Sequence, residues 1–485
     1  MKRRTPEALH VLLALLLTGI AAAALSSLAP DATALPMYAQ RSGRTCANCH
    51  VSPTLEDEEG WDNPELMKRK CTLTCISCHT DPTGGGQRNS SGRYFAQSTV
   101  SMFHTQDRSY SDHHRELLPN DARWKLQQWL GEETNTEDGD PSDGRVIPSD
   151  YGDVLAGMGE GQTGRGAQWG KPLGGPAEMA FWDGRYGDLN ADPAFQIGGD
   201  ARGAFWSGSE SVFPMQIDLH AAAHPVEHVT FATTLAAKGR TRVGPRVYPR
   251  RAFGMIHELP GMSWVKGGIF LPSFGLYHDD HTAFTRSQFE MDISEPGDTV
   301  TGVEIGTAPN YPFATASVFR TGMYDPAEAG WGSAVNLGWR DLGWSLTGHA
   351  MVKQRDAGRG DLTAAGVTWG FNPAYYLEWL PVTYLGEANM GRKTSAEGGA
   401  LDTEDYAAVN HEVWWLLRNG VNLRGKYDLA YSDLSTFPSL QRRAALGLEV
   451  SPIPGLTFTG FGRALQAPGD PRWHPDLLFM THLWF

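Results

Sequence analysis

The chain has 485 residues, of which 41% are hydrophobic and 20% charged, a balance that excludes a bundle of transmembrane helices. It carries 55 acidic against 41 basic side chains, which argues against a nucleic-acid partner and favours attraction of soluble cations. All five cysteines fall between Cys46 and Cys78, so a local prosthetic group accounts for them better than a disulfide framework spread through a fold.

Lys2, Arg3 and Arg4 precede an apolar run from Val11 to about Leu25, and Ala32-Thr33-Ala34 has the small-x-small pattern of a cleavage site. Residues 1–34 therefore read as an export signal. The competing reading, a membrane anchor, requires a longer apolar run.

Residues 35–105 contain two complete C-x-x-C-H motifs, Cys46-Ala47-Asn48-Cys49-His50 and Cys75-Ile76-Ser77-Cys78-His79. Two thiols at this spacing reach the two vinyl groups of one haem, and the adjacent His lies beneath the iron. The expectation is a small dihaem cytochrome c segment. In it Cys46, Cys49, Cys75 and Cys78 attach two covalently bound haem c groups, and His50 and His79 are the proximal ligands. A zinc knuckle or a redox dithiol is the alternative, but neither explains a His directly after both cysteine pairs. Cys71 is left over, either as a free thiol near the second haem or as a special ligand. Candidates for the distal ligands include Met102 and His104, with Met37, Met67, His113 and His114 also within reach in sequence. The run Asp81-Pro82-Thr83-Gly84-Gly85-Gly86 reads as a flexible turn beside the second haem, since no Walker-type Lys-Ser/Thr follows the glycines.

The first motif sits in Tyr38-Ala39-Gln40-Arg41-Ser42-Gly43-Arg44-Thr45-Cys46. With that neighbourhood and the overall layout, the chain resembles the fused cytochrome–porins of iron-oxidising bacteria, to whose pattern it adds the second motif. The resemblance implies a porin-like barrel after the haem segment, ferrous iron as the leading electron donor and possible Fe(II)-oxidising activity. Reduction of an extracellular acceptor is the reverse possibility.

Residues 106–194 read as a glycine-rich connector. Asp138-Gly139-Asp140 and Asp143-Gly144 lack the twelve-residue spacing of a calcium loop and read as solvated.

From 195 to 485 the pattern turns to period-two alternation in segments of about ten residues, the length that crosses a bilayer as a tilted strand. In Gln216–His220, Ile217 and Leu219 alternate with Gln216, Asp218 and His220. Val229, Phe231 and Leu235 alternate with His228, Thr230, Thr234 and Lys238. Trp344, Leu346, Ala350 and Val352 are set against Ser345, Thr347, His349 and Lys353. Val421, Leu423, Tyr427, Leu429 and Tyr431 are set against Asn422, Arg424, Lys426 and Asp428. Tight turns at His224-Pro225, Asn419-Gly420 and 452–455 alternate with longer polar loops such as 276–299 and 388–406. Leu477, Phe479, Leu483 and Phe485 alternate at the end, like the terminal signal of barrel assembly. A mostly β fold follows: an antiparallel transmembrane β-barrel of about sixteen strands, both ends on the periplasmic side. A soluble β-sandwich also alternates, and it is the turn pattern that favours the barrel. His220, His228 and His349 read as pore lining, and Tyr277–His281 as an outer-loop stretch where a solvated loop competes with a metal site.

The parts together suggest an outer-membrane protein, embedded in lipid, with its haem segment in the periplasm or the barrel lumen. It would pass electrons between an extracellular donor or acceptor and a periplasmic cytochrome. Two other classes stand beside this: a solute porin with a haem-bearing plug or redox sensor, and a haem enzyme needing an open iron site.

Overall fold

The structure is a computed structural model. It describes residues 79–88 and 195–484, except 227, 239–243, 277–281, 293–294, 310, 341–342, 356–359, 374–381, 398–399, 419, 435–438 and 454. Eight strands run in order as β1 (Phe195–Trp206), β2 (Ser211–Val226), β3 (Val229–Ala237), β4 (Val247–Leu259), β5 (Ser263–Phe270), β6 (Val300–Thr307), β7 (Pro312–Thr321) and β8 (Gly330–Arg340). Eight more follow as β9 (Trp344–Arg355), β10 (Asp361–Phe371), β11 (Val382–Glu397), β12 (Ala400–Arg418), β13 (Val421–Tyr431), β14 (Leu440–Ile453), β15 (Leu456–Gln466) and β16 (His474–Trp484). Each pairs antiparallel with its sequence neighbours, and β1 closes on β16 from Asp200↔Trp484 to Trp206↔Leu478, so the sheet has no free edge.

Polarity is inverted relative to a soluble protein. On β2, Ile217 and Leu219 are 53% and 56% exposed, while Gln216, Asp218 and His220 between them are buried. The same division sets Phe231 and Leu235 outward against Thr230 and Thr234, and Leu346 outward against Thr347 and His349. It also sets Tyr427 outward against Lys426 and Asp428, and Leu477, Phe479 and Leu483 lie outward near the end of the chain. Period-two side chains on a closed sheet leave one face for the surroundings and one for the lumen, and an apolar outer face suits hydrocarbon. No helix among the described residues is long and apolar enough to cross a membrane; a closed sheet with an apolar outer face is the other architecture that satisfies its own backbone in lipid.

The connections differ between rims. The rim that holds the start of β1 and the end of β16 has short turns at 227–228, 260–262, 308–311, 341–343, 419–420 and 454–455, with a longer link at 372–381. The opposite rim carries longer connections at 238–246, 271–299, 322–329, 432–439 and 467–473, together with short ones at 207–210, 356–360 and 398–399.

Four expectations need correction. His224-Pro225 is not the turn: β2 runs through both residues to Val226, its pairing with β3 shifting register between Ala223 and Val226 where the proline sits, and the connection follows at 227–228. Residues 388–406 are not a loop: β11 and β12 continue through them as a paired hairpin from Val382↔Trp415 to Glu397↔Ala400. Their charges read as loop in one dimension, but Arg392 and Asp405 face each other across the strands at 2.6 Å. The loop expected over 276–299 turns inward, burying Phe274, Phe289 and Met291 in one apolar cluster with Phe319, Met351, Leu362 and Tyr406. Within it, α1 (Phe284–Ser287) packs against β11, β12 and β13. His228 does not line the pore. It takes a left-handed backbone, φ 68, in the β2–β3 turn, half exposed and 3.5 Å from Glu258.

Candidate functional site

The lumen of the barrel holds the hairpin 79–88, which directly follows the second cysteine pair. His79 and Arg88 pair across its open end, the Thr80 N–H donates to the Gln87 carbonyl at 2.9 Å, and Gly84 N–H donates to the Asp81 carbonyl at 2.9 Å. Asp81 also accepts from Thr83 N–H and from the Thr83 hydroxyl, at 3.1 and 2.8 Å, which locks the turn through its own side chain. The glycines are needed at the tip. All three have positive φ (95, 71 and 68), and a Cβ on Gly86 would lie 2.5 Å from Nη1 of Arg251. The expected turn is there, but it is fastened to the barrel wall and does not hang as a flexible link.

The fastening is ionic. Lys266 points inward from β5, is 0% exposed, and lies 2.9 Å from Asp81 and 2.9 Å from Glu304 of β6. Arg251 of β4 donates to the Gly84 carbonyl at 2.8 Å and lies 3.6 Å from Asp81. Burial by itself would raise the Asp81 carboxyl, but Lys266 and Arg251 overcome that and hold it at about 2. At the other end of the hairpin, Gln87 donates to Gln196 of β1 at 3.3 Å. Arg88 lies 3.8 Å from Asp200 and stacks 4.5 Å from the centre of the Trp484 ring.

Around this foot the wall is rich in imidazoles. Asp200 holds Nε2 of His220 at 2.7 Å and Nε2 of His482 at 2.5 Å, and Nδ1 of His220 meets the Thr234 hydroxyl at 2.9 Å. The Thr230 hydroxyl joins Nδ1 of His224 and Nε2 of His257, each at 2.8 Å. Of the barrel histidines singled out from sequence, His220 and His349 do line the lumen, but His349 stands on β9 against Phe274, ring centroids 4.5 Å apart. His224, His257, His482 and Lys266 were not singled out from sequence. Extending the β2 alternation by two steps from His220 reaches His224. Lys266 gave no such signal, because the β5 segment carries two adjacent glycines and little alternation.

Of the haem-site residues, His79 lies at the foot of this hairpin. Cys46, Cys49, His50, Cys75 and Cys78, the distal candidates Met102 and His104, and leftover Cys71 lie outside the described residues. So do residues 106–194 and the whole of Tyr277–His281. Among the described residues no group of three or more His, Cys, Asp or Glu side chains is gathered to hold a metal ion.

No family model matches the chain, and no curated protein is found similar to it. Among solved structures, the outer membrane channel DcaP of Acinetobacter baumannii is similar at 10% identity and a TM-score of 0.43, over 60% of this chain and 97% of that one. The anion-selective porin from Comamonas acidovorans is similar at 10% identity and a TM-score of 0.44, over 60% and 99%. OmpT of Vibrio cholerae is similar at 8% identity and a TM-score of 0.44, over 61% and 99%.

Proposed function

We propose that the chain is an outer-membrane dihaem cytochrome–porin that passes single electrons between an extracellular donor or acceptor and a periplasmic cytochrome. The observation that carries this is the docking of 79–88 inside the barrel: the segment contiguous with Cys75, Cys78 and His79 is clamped to the lumen wall by Asp81–Lys266 and Arg88–Asp200. A bilayer is an insulator with a hydrocarbon core of about 30 Å, so a redox group held within a barrel shortens the gap that electrons must cross. The donor set near the hairpin foot, imidazoles and arginines, fits an iron porphyrin with acidic propionates.

The chain's own residues divide the work. Cys46, Cys49, Cys75 and Cys78 would hold the two haems as thioethers, and His50 and His79 would ligate the irons. Lys266, Arg251 and Arg88 hold the hairpin 79–88 that continues from the second motif. When bound, the haems supply one-electron centres. In the leading direction extracellular Fe(II) gives up one electron to become Fe(III), and a ferric periplasmic cytochrome takes it up, with no bond made or broken.

The test is electron transfer across proteoliposomes with Fe(II) outside and an oxidised cytochrome enclosed. The expected result is reduction well above that of empty vesicles, lost in a Cys75→Ala/Cys78→Ala protein that retains one covalent haem. A rate equal to empty vesicles refutes the conduit. A second reading is favoured by the closed barrel with its charged lumen: a solute porin with a haem-bearing plug. In that case the same vesicles swell in small sugars and reduce nothing inside.

A further inference from the structure

We infer that His224, on the barrel wall, is the sixth ligand of the iron whose fifth ligand is His79. The inference rests on the haem reading above and names a ligand that no nearby sequence pattern indicates.

Three observations converge on His224. First, its ring has the arrangement an axial imidazole needs. Nδ1 is fixed by the Thr230 hydroxyl at 2.8 Å, while Nε2 is shut off from solvent and has no hydrogen-bond partner among the described residues. With Nδ1–H donating to the hydroxyl, the Nε2 lone pair is left for a metal. A buried imidazole nitrogen with nothing to bond is costly in a lumen full of hydroxyls and charges, and a ligand supplies the compensation.

Second, the hairpin brings His79 to this part of the wall. Gln87, which accepts from Thr80 next to His79, donates to Gln196 of β1. Gln196 is opposite Ala222 on β2, and His224, two residues further, is turned to the lumen side by its bond to the buried Thr230. Third, the neighbouring lumen histidines are otherwise engaged. His220 uses both nitrogens, on Asp200 and Thr234, and Nε2 of His482 is taken by Asp200. Nε2 of His257 is taken by Thr230, and its Nδ1 lies 3.8 Å from Glu258. His349 also has an orphan nitrogen, Nδ1, but it stands on β9 beneath Phe274, across the lumen from the hairpin's anchors.

The test uses the full-length holoprotein in detergent, with covalent haem counted by pyridine haemochrome and spin state read by electron paramagnetic resonance and magnetic circular dichroism. In the native protein both irons are expected low-spin. In His224→Ala one of the two becomes high-spin while both haems stay attached, and added imidazole returns it to low spin. His257→Ala, which breaks the same hydroxyl bridge from its other side, leaves both low-spin. Two low-spin irons in His224→Ala overturn the assignment and leave the conduit proposal standing. Native protein without covalent haem overturns the conduit proposal itself. If His224→Ala fails to assemble, as judged by heat-modifiable mobility on gels, His224→Met replaces it. One sulfur-to-iron charge-transfer band and a raised potential at one haem then support the ligand, and a native spectrum overturns it.

Discussion

On the wall built from β1, β4, β5, β6 and β16, the hairpin 79–88 is held by ion pairs and hydrogen bonds, whereas on the wall from β7 to β13 the segment 271–299 is held first by apolar packing. The second segment has charges too. Glu290 meets Lys353 at 3.5 Å and Lys393 at 3.3 Å, pairs with Arg355, and has its carboxyl held at about 2 because those cations outweigh its burial. Yet Phe274, Phe289 and Met291 are already out of water beneath it. Apolar burial is non-directional and survives the loss of any one partner, while a buried ion pair fixes a position and fails when one charge is removed. The hairpin is therefore the more narrowly positioned of the two segments and the apolar one the more tolerant of a single loss.

The sharpest way to break the contrast is Lys266→Met, which leaves Asp81 and Glu304 facing each other in the lumen without their shared cation. Removing one partner of a buried pair costs about 3–5 kcal/mol. Deuterium uptake over 79–88 is expected to quicken by roughly two or more orders of magnitude while 271–299 stays protected. Unchanged uptake in the hairpin contradicts an ionic clamp. Next comes Met291→Ala, in the apolar cluster, at about 2–5 kcal/mol. Here 271–299 exchanges faster and 79–88 does not, and the reverse result would mean that the two walls are coupled.

Smaller is Glu290→Gln, expected to cost about 1–3 kcal/mol because the apolar contacts remain. Its measurable effect is a modest gain in exchange over 282–292 with single-channel conductance unchanged. Acid sharpens the same point. Asp81 titrates at about 2 in place of its ordinary 3.8, so its contribution to docking is full above 3.8 and fades as the pH falls toward about 2. Hairpin protection is therefore expected to hold on acidification to about pH 4 and to disappear closer to pH 2, with the apolar segment outlasting it. Loss of the hairpin near pH 5 would show that another group governs it.

Much of this was legible in one dimension. Alternation such as Gln216 to His220 fixes which side chains face the lumen, because successive residues of a strand must point to opposite faces. Short turns such as those expected at 419–420 and 452–455 announce hairpins, and with them the strand count and the shared rim of the two ends. The paired cysteines with their histidines carry the haem proposal by spacing alone, since thioether attachment is a local matter. What the sequence could not state is anything that depends on partners far apart in the chain. Residues 276–299 look like a polar outer loop until Phe289 and Met291 find Phe319, Met351 and Tyr406. Residues 388–406 look like a loop until their charges pair across strands. Asp81 meets Lys266, and Gln87 brings His79 toward the strand bearing His224, only once sixteen strands have closed and the lumen gives the hairpin a wall to lean on. Local pattern decides periodicity and motif, while closure decides which distant charges and imidazoles become neighbours.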